Sequence, residues 1–187
     1  MSVSSTSPQA PPAPATMPEH AMTTAPTAAP EVRDAVQGGK FLTFLLAGEE
    51  YGLEILKVHE IMAMLPVTRV PRTPEFVRGV INLRGKVIPI IDLRRKFGMP
   101  SDANETCIIV VQVRAISIGI AVDQVNEVAN IATADIDPPP SFGTDVDTAF
   151  LLGMAKADGR VRLLLDIERV LTTSELDQLE ATHDTAA

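Results

Sequence analysis

The densest apolar pattern in the chain lies between residues 78 and 98, where β-branched and large aliphatic residues stand on both sides of Arg84-Gly85-Lys86. Two such runs around a glycine predict a β-hairpin with a tight turn. Gly85 is free to take the positive φ that the turn requires, and Arg84 beside it is expected at the exposed tip. Neither arm alternates cleanly between apolar and polar positions. We therefore expect other parts of the protein to cover both faces of this central hairpin.

The rest of the chain contains further short apolar runs separated by turn residues. The predicted hairpins pair residues 41–46 with 51–55, 107–113 with 116–122, and 150–157 with 161–165. Single strands are predicted at 67–70 and 125–131. Residues 56–62 fit either a helical turn or a continuing strand, and the pattern leaves both open.

Helical signals are few and lie mainly near the end of the chain. Asp92 is placed to cap a short helical turn over residues 93–97, and Thr172 with Glu175 forms a capping box before the apolar positions 176–179. Roughly ten short strands fit two five-stranded barrels better than one large barrel. The predicted fold is therefore all-β, with two small barrels and a short C-terminal helix.

Composition divides the chain into three parts. Residues 1–37 hold seven of the fifteen prolines and hardly any large apolar residue, so we expect a disordered tail there. Residues 38–180 form the folded domain in two lobes, and residues 181–187 are expected to be a second disordered tail. Cys107 is the single cysteine, which excludes an internal disulfide. No apolar stretch is long enough to span a membrane and no signal peptide is evident, so we expect a cytoplasmic protein without membrane insertion.

Charge is unevenly distributed along the chain. The formal net charge is −8, which argues against general nucleic-acid binding because phosphate neutralisation needs a basic surface. Between Arg69 and Lys96, however, eight Lys or Arg residues stand against two acidic ones. These cations either solvate strand ends and turns or form a basic docking edge for an acidic protein partner, and the sequence leaves both open.

Candidate catalytic chemistry is sparse. His59 is the one histidine in the predicted folded part, and it has no partner spacing that would mark a general acid or base. No metal-ligand spacing and no nucleophile elbow occur, so we predict neither a metal site nor a cofactor. These observations favour an adaptor or interaction module over an enzyme.

Three segments carry a resemblance to a known family: EEYGLEILKVHEI at 49–61, PVTRVPRTPEFVRGVINLRGKVIPIIDLRRKFG at 66–98, and IGIAVDQVNEV at 118–128. Over about residues 40–180 the chain resembles the CheW-like domain family, the coupling proteins of bacterial chemotaxis. The resemblance implies two interlocked SH3-like five-stranded barrels without enzymatic activity. It also implies an adaptor that bridges the cytoplasmic tips of methyl-accepting chemoreceptors to the regulatory domain of the histidine kinase CheA, at membrane-bound receptor arrays.

The same resemblance implies two docking surfaces. The receptor-binding groove between the barrels would fall on Val58, Asn82, Arg84 and Val128. The kinase-binding surfaces would include Glu60, Val67, Arg69 and Phe142. The proline-rich tail and Pro71-Arg72 depart from the family pattern, and they leave open which array this protein serves.

Other interpretations remain open at this point. The chain is alternatively a coupling protein of a related non-motility or pilus array, or the excised regulatory half of a kinase. A nucleic-acid-binding SH3-like barrel is a further alternative, although it would need aromatic platforms and the chain has no Trp and one Tyr. Val58 and Val128 are also compatible with ordinary barrel core, because apolar strand residues are usually buried.

Overall fold

The computed structural model describes residues 37–100, 105–139, 148–157 and 159–185. In this part of the chain the fold is all-β, as predicted, with short helices. The strands are β1 (Gly39–Leu46), β2 (Glu49–Glu54), β3 (Val58–Ala63), β4 (Val77–Leu83), β5 (Lys86–Asp92), β6 (Cys107–Val113), β7 (Ile116–Val122), β8 (Gln124–Ile131), β9 (Ile136–Asp137), β10 (Leu151–Ala157) and β11 (Arg160–Leu165). The helices are α1 (Leu93–Lys96), α2 (Ile167–Val170) and α3 (Thr173–Thr185), with 3₁₀ turns at Ile55–Lys57 and Thr133–Asp135.

The strands form two sheets that are interlocked through the chain order. One sheet has the order β3-β6-β7-β5-β4, and the other has the order β8-β1-β2-β11-β10-β9. Strands β1 and β2 come first in the sequence but belong to the second sheet, where β2 pairs with β11 in parallel. In the sequence, the strands of the five-stranded sheet thus lie between β1–β2 and β8–β11, which together form the other sheet. This confirms the predicted interlocked arrangement.

The five-stranded sheet curls around its own small core. Residues from all five strands contribute to one cluster: Ile81, Ile88, Ile90, Ile108, Val110 and Ala121, with Met62 and Leu83 packed against it. The edge strands β3 and β4 do not share a ladder, but an isolated bridge between Thr68 and Val80 brings the segment after β3 onto β4. The sheet therefore approaches the predicted five-stranded barrel without closing it by a continuous ladder.

The six-stranded sheet has a second small core, and the largest core lies between the sheets. The small cluster contains Phe41, Ile131, Ala155 and Leu164. The large cluster draws on alternate positions, so that Ile109 and Val111 point into it while Ile108 and Val110 face the core of the five-stranded sheet. This alternation is the period-two pattern of a strand that is covered on both faces. The six-stranded sheet corresponds to the second predicted barrel, with the two-residue β9 as the additional strand.

The central hairpin of β4 and β5 has the predicted turn. Leu83 pairs with Lys86, and the two residues between them have positive φ, 52° for Arg84 and 85° for Gly85. Two successive positive φ angles are typical of a type I′ turn, whose twist matches that of paired strands. The turn therefore places Arg84 at the tip, as predicted.

Short-range predictions of the helices are also confirmed, with one change of boundary. The Asp92 carboxylate accepts a hydrogen bond from the backbone N–H of Arg95 at 3.1 Å and caps α1. The Glu175 carboxylate accepts the N–H of Thr172 at 2.7 Å and completes the predicted capping box of α3. The predicted boundary at residue 180 falls inside this helix, which continues to Thr185 because no glycine or proline interrupts it.

Two segments between β2 and β4 differ from the predicted pattern. The ambiguous stretch 56–62 contains both alternatives, because a 3₁₀ turn at Ile55–Lys57 leads directly into β3. The strand predicted at 67–70 is wrong: only Thr68 forms a bridge there. Prolines at positions 66 and 71 remove backbone donors on both sides of that bridge, so a longer ladder cannot form.

Candidate docking surfaces

Arg84 projects from the tip of the central hairpin into solvent. Its side chain is 78% exposed, and its Nη2 donates to Oε1 of Glu60 at 2.7 Å. An exposed ion pair of this kind contributes about 0–1 kcal/mol to stability. The guanidinium also has further N–H donors in a planar fork, the geometry that binds a carboxylate in bidentate fashion. The turn thus exposes a cation that has donors available for a carboxylate of a partner.

Asn82 is exposed on the same hairpin and supports the turn. Its side-chain Oδ1 accepts a hydrogen bond from the backbone N–H of Gly85 at 2.9 Å. This bond satisfies a turn donor that points away from the ladder. Asn82 therefore helps to fix the position of Arg84, its predicted partner in the receptor surface.

The two valines predicted for the receptor surface differ in their environments. Val128 in β8 is 49% exposed and pairs with Leu42 of β1. Val58, at the start of β3, is half-buried and packs against the core between the sheets. Core packing, the alternative that the sequence left open, therefore applies in part to Val58 but not to Val128.

Leu56 is an exposed apolar residue that the sequence analysis did not single out. It lies in the 3₁₀ turn next to β3, and 91% of its surface is open to solvent. An exposed leucine this close to Val58 adds apolar surface beside the start of β3. Its exposure was not predictable from the sequence, because the exposure of an apolar residue depends on the element that contains it.

The residues predicted for the kinase surface fall on two segments. Val67 is half-buried against the core of the five-stranded sheet, and Arg69 is exposed on the other side of the Thr68 bridge. Glu60 lies in β3. Phe142 lies outside the described residues.

One contact joins the two predicted surfaces. Glu60 was predicted for the kinase surface and Arg84 for the receptor surface, and the structure pairs their side chains. The pairing spans the open side of the five-stranded sheet, from β3 to the turn after β4. The predicted surfaces therefore adjoin at this ion pair.

The basic segment from Arg69 to Lys96 is largely neutralised in the fold. Five of its eight cations form ion pairs: Arg78 with Glu105, Arg84 with Glu60, Arg94 with Asp123, Arg95 with Asp92, and Lys96 with Glu175. Within the described residues Arg69, Arg72 and Lys86 form none. Most of these cations thus serve the fold, and the basic edge that the sequence allowed is reduced to a few positions.

Lys96 and Glu175 connect α1 with the start of α3. Lys96 Nζ lies 2.6 and 2.7 Å from the two carboxylate oxygens of Glu175. It also lies 4.7 Å from the centroid of the Phe76 ring. Burial alone would raise the pKa of Glu175, but the hydrogen bonds from Lys96 and Thr172 outweigh it and hold the pKa below its ordinary value.

The described part of the chain contains neither a metal-binding cluster nor a membrane-spanning helix. No group of three or more His, Cys, Asp or Glu side chains there is arranged to hold a metal ion. No helix there is both long and apolar enough to cross a membrane.

The chain is thus an all-β protein of two interlocked sheets, and its candidate sites are docking surfaces. Comparison with known proteins then gives the family, because the CheW-like domain matches residues 40–175. The chain belongs to the CheW-like domain family.

Individual relatives agree with this assignment. The chemotaxis protein CheW of Klebsiella aerogenes is 43% identical over 142 residues, 74% of this chain and 85% of that protein. The chemotaxis protein CheW of Helicobacter pylori is 37% identical over 134 residues, 71% of this chain and 81% of that protein. The crystal structure of the scaffolding protein TtCheW from Thermoanaerobacter tengcongensis superposes with a TM-score of 0.68 at 39% identity, over 74% of this chain and 96% of that one. The predicted family and fold class are confirmed.

Proposed function

We propose that this protein is a non-enzymatic adaptor that couples chemoreceptors to a histidine kinase of the CheA type in a chemotaxis array. The observation that carries the proposal is the ion pair between Arg84 and Glu60, a residue predicted for the receptor surface and one predicted for the kinase surface. The relatives support it, because they are named chemotaxis proteins and the solved one is described as a scaffolding protein. The adaptor works in the cytoplasm beside membrane-bound receptors, and its chemistry is binding.

The receptor surface combines a cation with exposed apolar residues. Arg84 supplies the charge, and Val128 and Leu56 supply apolar surface. A helical receptor hairpin with an apolar stripe and acidic neighbours fits such a surface, as in other complexes where an amphipathic helix lies against an apolar groove. Burial of the apolar contacts provides affinity, and the charge fixes register and orientation.

The ion pair also gives a physical route from one partner to the other. A receptor carboxylate that approaches Arg84 competes with Glu60 for the same guanidinium. Glu60 then loses its partner, and the charge presented on the kinase surface changes. Because the exposed pair is weak, this exchange costs the fold little.

The test is binding of the Arg84→Glu variant to a receptor cytoplasmic fragment and to the kinase, measured separately. Lys86→Glu is the matched control, since Lys86 is exposed in the same turn and forms no ion pair among the described residues. Like-charge repulsion at Arg84→Glu should weaken receptor binding by several kcal/mol, roughly 100-fold or more. The control should bind the receptor like the parent. Both variants should still bind the kinase through Val67 and Arg69, which neither substitution changes.

Two results would contradict the proposal. Parental receptor binding by a folded Arg84→Glu variant would remove Arg84 from the receptor surface. Loss of kinase binding with receptor binding intact would show that the two surfaces are exchanged. The double variant Glu60→Arg with Arg84→Glu adds a check. It retains an ion pair between the two positions but exchanges the two charges. It should therefore fold and still fail to bind the receptor.

A further inference from the structure

Arg72 has a backbone conformation that side chains disfavour. Its φ is 64°, and it follows Pro71 in the order of a type II turn, where the third residue is usually glycine because φ must be positive. The other described non-glycine residues with positive φ, Ala47, Arg84 and Arg114, lie in turns of β-hairpins. Strand pairing does not impose the conformation on Arg72. An arginine at a position suited to glycine points to a role of its side chain outside the fold.

A groove opens beside Arg72, between residues 72–77 and α3. Its volume is about 340 Å³, and its apolar lining comes from both sides: Pro74, Phe76, Val77 and Leu179. The two walls are linked, because Lys96 pairs with Glu175 of α3 and lies over the Phe76 ring. The groove is therefore formed before any partner arrives, which lowers the cost of binding.

The charge at the rim of this groove is positive. Glu175 lines the groove, but its charge is balanced by Lys96. Within the described part of the chain Arg72 has no ion pair. An apolar side chain with a carboxylate nearby complements such a rim. A second copy of this chain fits less well, because each copy carries a formal charge of −8 and two copies repel.

The groove adjoins the surface predicted to bind the kinase. A second cavity of about 210 Å³ lies along the same loop and is lined by Arg69. Thr73, Pro74 and Val77 line both cavities. The loop thus carries one continuous surface from Arg69 to the groove.

We propose that the groove between residues 72–77 and α3 is a docking site for a segment of the kinase that presents an apolar side chain next to a carboxylate. The inference rests on the proposed function, because it takes the kinase as the partner. Arg72 binds the carboxylate, and the apolar lining holds the adjacent side chain. This adds a specific contact to the surface that contains Val67 and Arg69.

The experiment measures the affinity of the full chain for the purified kinase at low and high salt, together with melting temperatures. Arg72→Gly removes the charge and relieves the backbone, so we expect about tenfold weaker binding, a smaller salt dependence, and a melting temperature at or above that of the parent. Arg72→Lys should remain within about threefold of the parent, since it keeps the charge. Gln178→Trp, at the rim, should fill the groove and weaken kinase binding while receptor binding is unchanged.

Arg160→Ala is the control for charge. Arg160 is exposed in β11 of the other sheet and has no ion pair in the part of the chain that the structure describes, so the variant should bind the kinase like the parent. Parental affinity in both Arg72→Gly and Gln178→Trp would overturn the inference. A marked drop in the melting temperature of Arg72→Gly would also overturn it, because the arginine would then serve the fold. Absence of kinase binding by the parent chain would instead refute the proposed function.

Discussion

Arg84 and Arg94 stand at the two ends of β5, and both pair with a carboxylate, but their surroundings are opposite. Arg84 is largely in water beside Glu60, whereas the Arg94 side chain is 7% exposed beside Asp123. Water screens the first pair and leaves it weak. In the second pair, removal of one partner would leave a largely buried charge without compensation. Two similar cations in one basic segment therefore serve different purposes, one on the surface and one in the fold.

The contacts of Asp123 explain why its ion pair with Arg94, the inner pair, stabilises the fold. Its two carboxylate oxygens accept from Arg94 Nε at 3.1 Å and Nη2 at 2.5 Å. One of them also accepts the backbone N–H of Ala47 at 2.8 Å. Asp123 thereby connects α1, which directly follows β5 of the five-stranded sheet, with the β1–β2 turn of the other sheet. The inner pair therefore links the two sheets.

The largest effect in this comparison is expected for Arg94→Met. The substitution leaves Asp123 without its cation at a partly buried site, so the free energy of unfolding should fall by about 3–5 kcal/mol. Denaturant unfolding measures it, with Arg94→Lys as a control that should recover only part of the loss because lysine lacks the planar fork. A loss below about 1 kcal/mol would remove the contrast with Arg84.

Two glycines of the β4–β5 hairpin have different surroundings. A Cβ on Gly79 would lie 2.1 Å from the Thr68 carbonyl oxygen, and φ is 142°, so Gly79→Ala should cost more than about 2 kcal/mol. Gly85, at the exposed turn, has no atom of the described residues within 4 Å of such a Cβ. Gly85→Val should therefore cost only the conformational strain, about 1–2 kcal/mol. Equal losses of unfolding free energy for the two variants in urea would contradict the assignment of Gly79 to the buried part of the hairpin and Gly85 to its exposed turn.

An intermediate effect is expected for Glu175, whose pair with Lys96 is less buried than the Arg94 pair. Glu175→Gln should reduce the free energy of unfolding by about 1 kcal/mol at neutral pH. The pKa of Glu175 is held below its ordinary value of 4.5, so its charge stabilises the fold above that value. The contribution is lost as the pH falls through the lowered pKa of the folded state. Melts from pH 7 down to acid should thus show the parent and the variant converging, whereas a constant gap would contradict the role of the charge.

The smallest effect is expected for Arg84→Ala. The side chain is exposed and its ion pair is weak, so the free energy of unfolding should change by less than about 0.5 kcal/mol. Equilibrium unfolding beside the parent provides the measurement. A loss comparable to that of Arg94→Met would mean that the outer pair, too, supports the fold.

Local patterns predicted much of this molecule. The glycine turn at Gly85, the cap at Asp92 and the box of Thr172 with Glu175 each depend on residues within a few positions of one another. A local rule is sufficient in such cases because the interacting groups are fixed by the geometry of one turn.

Contacts between distant segments were not predictable in the same way. The sequence showed a cluster of cations but not that Arg94 is buried against Asp123 while Arg84 reaches Glu60 in solvent. The pairing of these arginines with Asp123 and Glu60 depends on the curvature of the sheets and on the contacts between them. The resemblance to a family supplied the predicted surfaces, and the structure added their contact through Glu60, the partial burial of Val58 and the groove beside Arg72.

The insertion of one sheet within the other has a consequence for synthesis on the ribosome. Residues 58–122 contain every strand of the five-stranded sheet, so this unit has all its partners soon after β7 emerges. The β1–β2 hairpin is made earlier but waits for β11, because Tyr51 pairs with Leu163 across more than a hundred residues. Until then the edge of β2 has no neighbour and offers its backbone groups to other chains. Translation that stalls between β8 and β11 should therefore give aggregation-prone nascent chains, whereas a stall after β11 should not.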